Sequence, residues 1–390
     1  MFDKPHAVGW WRGLDCRSDE ATVRLGAGGR TTTVAGCYAE RLQAGRRKVG
    51  VFLGAVTGAE MSTGRRSYPK IELHVHLEGT LRPAMLLCLA SRNGISLPAE
   101  SEEGLREALR FTDFRHFIEA WVATSQVLRH YDDFRMAVVD YAAQVAPMGC
   151  VYLEGIFSPA EPVRRGAEWQ QVFEGYCDGA AEARERHGVE VRLTPDVTRN
   201  FPVEEGEEVA RWAVRYRDRG VVGLGLGGSE DAFPPEPFAP PFAIARAGGL
   251  GSVPHAGELA GPASIRGALE ALHADRLRHG VRAGEDAGLL RELAARRICC
   301  DVTPIGNLRM GVVPSLAEHP LPLLVAASVP CSISTDDPAL MDTSLEQDCA
   351  AAESLGLRPR DFYFSAVAGA LCDEATRARL QAIGEAFCWE

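Results

Sequence analysis

From residue 71 onward the sequence predicts an α/β fold. It is a (β/α)8 barrel with an α-helical insertion after the first strand and extra helices at the C-terminus. Two patterns carry that reading. Short apolar runs with strand character alternate with helix-period segments, which implies a parallel sheet joined by helical crossovers. Eight such runs can be counted, the number that closes a barrel. A length of 390 residues accommodates one large barrel.

Residues 1–64 stand apart. They are rich in Gly, Arg and Thr and hold neither a helical nor a strand period. Met61 reads as a natural start, so 1–64 are expected to be a non-conforming or disordered extension, and 65–390 a single domain. The first strand lies in Lys70-Ile-Glu-Leu-His-Val-His-Leu-Glu-Gly-Thr80, where Ile71, Leu73 and Val75 alternate with Glu72, His74 and His76. Gly79 and Thr80 break it, and Pro83 suits the first turn of a helix. Four helices are expected at 82–90, 101–109, 113–128 and 132–146, with no strand among them. Asp113 caps the third, whose apolar face is Phe114, Phe117, Ile118 and Trp121. That stretch is too long for a crossover; it is an insertion over one end of the fold, either plain packing helices or a lid over a pocket. The alternation then runs through strands at 151–157, 189–194, 221–226, 251–255, 276–279, 298–302 and 331–334. Helices at 169–187, 205–217, 240–247, 261–272, 286–296 and 320–327 separate them, and 343–384 is helical and covers the last strand.

Bulk composition narrows the function. Hydrophobic residues make up 46% and charged residues 24%, ordinary for a globular enzyme. The net charge of −11 offers no broad basic face, so neither nucleic acid nor an anionic membrane is an expected partner. No apolar run reaches the roughly 18 residues of a membrane span, and no secretory signal pattern stands at the N-terminus. Eleven scattered cysteines without a C-x-x-C spacing fit a reduced, cytoplasmic compartment. Lysine occurs only at positions 4, 48 and 70. Nothing after residue 70 can therefore form a Schiff base, serve a phosphate loop or bridge two metals as a carbamate.

In a barrel of this kind the active site lies at the C-terminal ends of the strands. Those ends carry His74 and His76 on strand 1, His255 and Glu258 on strand 5, His279 on strand 6, and Asp336 and Asp337 on strand 8, with Gly228 after strand 4. On a strand, residues i and i+2 face the same way, so His74 and His76 project together. The bland alternative is a half-buried strand whose histidines bond to backbone. His6, His116, His130, His187 and His273 fall on the tail or on expected helices and take structural readings. Three imidazoles and a carboxylate suit one Zn²⁺ with a position left for water. Such water has its pKa lowered from 15.7 to about 7, so hydroxide is available at neutral pH. Glu258, three residues past His255, can reach the metal's edge as an acid or base, and His279 can orient the hydroxide.

His74-Val-His-Leu-Glu-Gly79, His255-Ala-Gly-Glu258, Arg278-His-Gly280 and Ser334-Thr-Asp-Asp-Pro338, in that order, resemble the adenosine deaminase family. The segments 151–159 and 222–230 resemble its second- and fourth-strand motifs, and the resemblance spans roughly 66–385. It implies a zinc-dependent aminohydrolase, a hydrolase of a cyclic amidine C–N bond in purine metabolism. By the same resemblance His74, His76, His255 and Asp336 are zinc ligands and Glu258 protonates purine N1. His279 positions the hydroxide, Asp337 contacts N7 and the backbone of Gly228 contacts N3. Glu78 stands where adenosine-specific members carry Asp, on the N9 side. Thr303-Pro-Ile-Gly-Asn307 replaces Cys-Pro-x-Ser-Asn, and Gly228-Ser229-Glu230 replaces Gly-Asp-Glu. Gly306 and Gly227 are expected to leave room for a large substituent. The expected reaction is deamination of adenosine or an adenosine-like 6-aminopurine nucleoside to the inosine-type product and ammonia. The alternatives are an adenine deaminase, an aminodeoxyfutalosine deaminase, another metal hydrolase, or a non-catalytic purine-binding protein.

Overall fold

In the computed structural model, which describes residues 67–389, the strands follow the alternation: β1 Lys70–His76, β2 Cys150–Phe157, β3 Glu190–Thr198, β4 Gly223–Gly227 and β5 Gly251–Ser252, then β6 His255–Ala256, β7 Arg276–His279, β8 Cys299–Val302 and β9 Cys331–Ile333. The expectation for residues 1–64 lies outside the described residues. All pairings are parallel, in the orders β1-β2-β3-β4-β5 and β6-β7-β8-β9. β5 and β6 are halves of the one strand expected at 251–255, split at Val253-Pro254, where the proline has no N–H to give. Backbone bonds from Val253 N to Leu224 O (2.9 Å) and from Arg278 N to Pro254 O (3.0 Å) carry the strand across the split. On the other side, His76 N donates to Asp336 O (2.8 Å) and Asp336 N to His74 O (3.1 Å), tying the segment after β9 back to β1. The strands thus form the (β/α)8 barrel.

Both faces of β1 are buried, as a parallel strand between barrel interior and helical ring requires. Leu73 and Val75 are fully buried, each worth about 1.5–3 kcal/mol relative to exposure. The interior, by contrast, is charged. Arg276 donates to Glu154 (2.6 Å), Asp301 and the carbonyls of Leu73 and Gly369, and Arg278 to Asp196 and Thr194. Every one of those guanidinium and carboxylate groups is buried, and pairing is what makes such burial tolerable.

The insertion forms the expected four helices, α1 Pro83–Asn93, α2 Glu102–Ala108, α3 Phe114–Ser125 and α4 Tyr131–Val145, with Asp113 accepting from His116 N at the start of α3. α3 and α4 both pack on the turn Leu77–Thr80 that follows β1, at the end of the barrel where β1 delivers its histidines. The C-terminal stretch is three helices, Leu345–Ser354, Pro359–Gly369 and Glu374–Ala386. Tyr363, Ala366, Val367 and Leu380 from the last two cover Ile71, Leu73 and Tyr152. β3 runs four residues past its expected end, through Pro195 to Thr198, because Pro195 still pairs with β2 and Asp196, Val197 and Thr198 pair with β4. Asp196 is thereby a barrel-interior residue rather than a loop residue. No helix among the described residues is long and apolar enough to cross a membrane.

Candidate active site

β1 aims His74 and His76 to one side, and His255 meets them from β6. The Nε2 atoms of His74 and His76 lie 3.2 and 3.1 Å from that of His255. Asp336 adds its Oδ1 at 3.2 Å from His74 Nε2 and 3.5 Å from His76 Nε2. Hydrogen bonding fixes which of these nitrogens carry protons. His74 Nδ1 faces Asp301 O at 3.2 Å and His255 Nδ1 faces Leu226 O at 3.0 Å. A carbonyl only accepts, so both rings are protonated at Nδ1 and bare at Nε2. Burial holds the imidazoles neutral: His74 and His255 are pushed well below the ordinary range and His76 down to about 3. Two bare Nε2 lone pairs at 3.2 Å repel; they do not form a hydrogen bond. A cation among them converts that repulsion into coordination, with the Nδ1–H bonds supplying the outer support that metal-bound histidines need. The donor set therefore fits one divalent metal: the potential ligand atoms of His74, His76, His255 and Asp336 all lie within 4.8 Å of one another.

The acid–base groups adjoin this cluster. Glu258 Oε2 is 3.3 Å from His279 Nε2, and His279 Nε2 is 3.9 Å from Asp336 Oδ2. Burial first, then the charges of Asp336 and Glu230, hold the Glu258 carboxyl well above its usual range, which favours its protonated form. Asp337 is raised in the same sense by burial and by Asp336, and its Oδ1 is buried without a hydrogen bond. Gly79 allows this placement, since a Cβ there would stand 1.9 Å from Asp337 Oδ1. Glu78 is buried beside it: Oε1 accepts from Ser158 N (2.7 Å), the buried Tyr176 hydroxyl faces the same carboxyl, and burial pushes its pKa up to about 7. Gly228 lies on the turn after β4 with φ 99°, a left-handed conformation suited to glycine. His279 and Asp336 also hold φ of 63° and 68°, strain concentrated in the cluster.

The family model described as adenosine deaminase matches residues 69–383. The chain belongs to the adenosine deaminase family. An aminodeoxyfutalosine deaminase from Acidothermus cellulolyticus is 48% identical, over 82% of this chain and 92% of its own. An adenine deaminase from Streptomyces coelicolor is 37% identical, over 82% of this chain and 95% of its own. Among solved structures, an adenine deaminase from Arthrobacter aurescens aligns with a TM-score of 0.77 at 30% identity, covering 82% of this chain and 98% of its own. An amidohydrolase of B. ambifaria, solved with bound zinc, aligns at 0.72 and 25%, covering 84% and 94%. The protein is accordingly a metal-dependent family deaminase, a hydrolase of C–N bonds.

Several residues of this deaminase's site were given no role by sequence reasoning. Glu230, quoted only as the last residue of the fourth-strand motif, accepts from the backbone N–H groups of Gly257, Glu258 (3.0 Å), Leu259 (2.8 Å) and Ala260 (3.0 Å) and from Ser264 Oγ (2.6 Å). It is the nest that holds Glu258 in place. Arg199, just past β3, donates to the carbonyls of His255 and Phe233. Asp196 sits 3.5 Å from His255 Nδ1. Asn307 and His319 lie behind His279; the short helix Pro304–Arg309 that carries Asn307 has too few residues to show a period. The room expected at two glycines is filled: a Cβ at Gly227 would meet Asp196 Oδ2 at 2.7 Å, and one at Gly306 would meet Thr303 Oγ1 at 3.0 Å. Both are close approaches of backbone to polar side chains, not openings.

Proposed function

We propose that this deaminase removes the 6-amino group of a purine bearing an extended N9 substituent, aminodeoxyfutalosine being the compound of that class that a relative's name supplies. The metal is zinc, held by His74, His76, His255 and Asp336. What supports the substrate is the 48% identity over 92% of an aminodeoxyfutalosine deaminase, against 37% for the adenine deaminase. Adenosine, placed first by the sequence, takes no such support, and its alternatives fit better. A zinc ion, when bound, supplies Lewis acidity that brings the pKa of water to about 7.

The chain's own groups do the rest. Protonated Glu258 delivers its proton to N1, which makes C6 electrophilic. His279 orients the attacking water from its place between Glu258 and Asp336. Protonated Asp337 donates to N7, and the backbone of Gly228 to N3. Water adds at C6 as its proton passes to the Glu258 carboxylate; Glu258 hands that proton to the departing amine, ammonia leaves, and the C6 hydroxyl proton returns to Glu258 as the 6-oxopurine forms. A second reading, free adenine, rests on the relatives named adenine deaminase.

A panel of aminodeoxyfutalosine, a second 5′-extended adenosine, adenosine and adenine decides between them. The expected kcat/KM is highest for a 5′-extended compound. A maximum at adenine transfers the assignment to the second reading, and binding without turnover of any member leaves a non-catalytic purine-binding protein.

A further inference from the structure

Carbonyls set the rings of His74 and His255, and His76 Nδ1 has no hydrogen bond; His279 is set instead by two side chains in series, His319 and Asn307. The backbone N–H of Leu321 donates to His319 Nδ1 at 3.0 Å. His319 is buried, and burial holds it neutral, its pKa lowered to about 4. With Nδ1 accepting, its one proton is on Nε2. That nitrogen faces Asn307 Oδ1 at 3.2 Å, so it donates there and fixes which way the Asn307 amide points. The amide nitrogen then faces His279 Nδ1 at 3.3 Å and donates to it, with Thr303 Oγ1 at 3.4 Å as a second possible donor. His279 Nδ1 is therefore bare and its Nε2 carries the proton. This is the opposite tautomer to His74 and His255.

We infer that His319 and Asn307 are positioning residues that relay the direction of the Leu321 N–H to His279 and lock it as an Nε2–H donor. The consequence is a division of labour among chemically identical rings. Bare Nε2 atoms can ligate a cation; a protonated one cannot. His279 therefore presents its one N–H to the acceptors in front of it: Glu258 Oε2 at 3.3 Å, or the attacking water once it stands there, with Asp336 Oδ2 farther off at 3.9 Å. Glu258, His279 and Asp336 also come close enough together to invite a second metal, and the tautomer excludes His279 from that role. The relay deepens the reading proposed above, but His279's protonation is a property of the chain and stands or falls apart from the substrate.

The test is long-range ¹H–¹⁵N correlation on the full-length, zinc-loaded protein with ¹⁵N-labelled histidine rings, the His279 signals assigned by their loss in His279→Asn. Wild type is expected to show His279 protonated at Nε2 only. Asn307→Asp presents only acceptors to Nδ1, so the proton should move to Nδ1 and kcat should fall about 10²-fold or more, the scale of a wrong-tautomer defect, with KM within about threefold. His319→Leu should lose about tenfold, while His319→Gln, whose amide N–H still reaches Asn307, should recover most of it. His279 protonated at Nδ1 in the wild type overturns the inference whatever the variants do. So does an Asn307→Asp protein with Nε2–H and kcat both unchanged.

Discussion

Replacing Glu230 by Gln tests whether the loop carrying Glu258 is held by one buried carboxylate. Five donors converge on that carboxylate, the N–H groups of residues 257–260 and the hydroxyl of Ser264. Glutamine has one acceptor oxygen. In its better orientation that oxygen keeps Glu258, Leu259 and Ala260, and the amide NH₂ turns to Ser264, which can accept, and to Gly257 N–H, which cannot. One buried N–H is then orphaned, at about 1–3 kcal/mol, and three bonds lose charge assistance, at about 1 kcal/mol each. The total is about 4–6 kcal/mol if the loop stays and less if it moves, in which case Glu258 moves with it. Thermal unfolding should fall by several degrees and kcat/KM by about 10²-fold or more. A further signature separates this from plain loosening. The charge of Glu230 helps raise the Glu258 pKa, so its loss should shift the alkaline limb of the rate profile, where Glu258 gives up its proton, to lower pH. A variant with unchanged Tm, kcat/KM within about twofold and an unshifted limb would refute the reasoning.

Glu258→Gln should keep fold and metal yet lose about 10²–10⁴ in kcat, and a loss of only a few-fold would transfer the proton to another residue. Elemental analysis should find one zinc per chain; chelation should abolish turnover, lower Tm and be reversed by zinc, and two metals per chain or an active metal-free protein would contradict the donor argument. Burial pushes Asp348 up to about 7 from an ordinary 3.8, so its protonated form is favoured in the fold. Its contribution is present below about pH 4 and lost as pH rises through 7, an interval worth about 4 kcal/mol. Asp348→Asn, which can still accept from Ile305 N, should therefore gain on the wild type in denaturant unfolding between pH 4 and 8; a pH-independent difference would contradict it.

What the chain revealed before folding was whatever repeats locally. Strand and helix periods placed every barrel strand, the helix Trp169–His187 and the strand Arg276–His279 to the residue. The donor cluster was legible because its members end strands, and a parallel barrel brings all such ends to one rim. The roles of the supporting residues were not legible, even where a motif contained them, because nothing local shows what they hold. Glu230 is one acidic residue after a Gly-rich turn, and only the fold delivers five donors to it. His319 stands beyond a 3-10 turn, its ring turned by one backbone amide. Asp196 hides behind Pro195, which reads as a strand end and is not one. The glycines misled for a related reason: absence of a side chain in sequence shows where bulk is missing, not what already fills the space.

The charged barrel interior and the neutral site above it are one device. Buried ion pairs contribute little net stability, so Arg276 and Arg278 are poorly explained by folding alone. Their positions explain them better. Arg276 and Ser332 hold the Asp301 side chain, and the Asp301 carbonyl fixes His74 in its ligand tautomer. Arg278 holds Asp196 beside His255, and its charge depresses the pKa of His74, His76, His255 and His279 alike. Protonation would destroy three metal ligands at once, and a fixed positive charge beneath them opposes it. Apolar residues of the same volume in place of the whole network, guanidinium and carboxylate groups together, would pack the interior as well. They would leave the imidazoles free to choose their tautomer and to take up protons, so the guanidinium groups keep the metal site ready before any metal or substrate arrives.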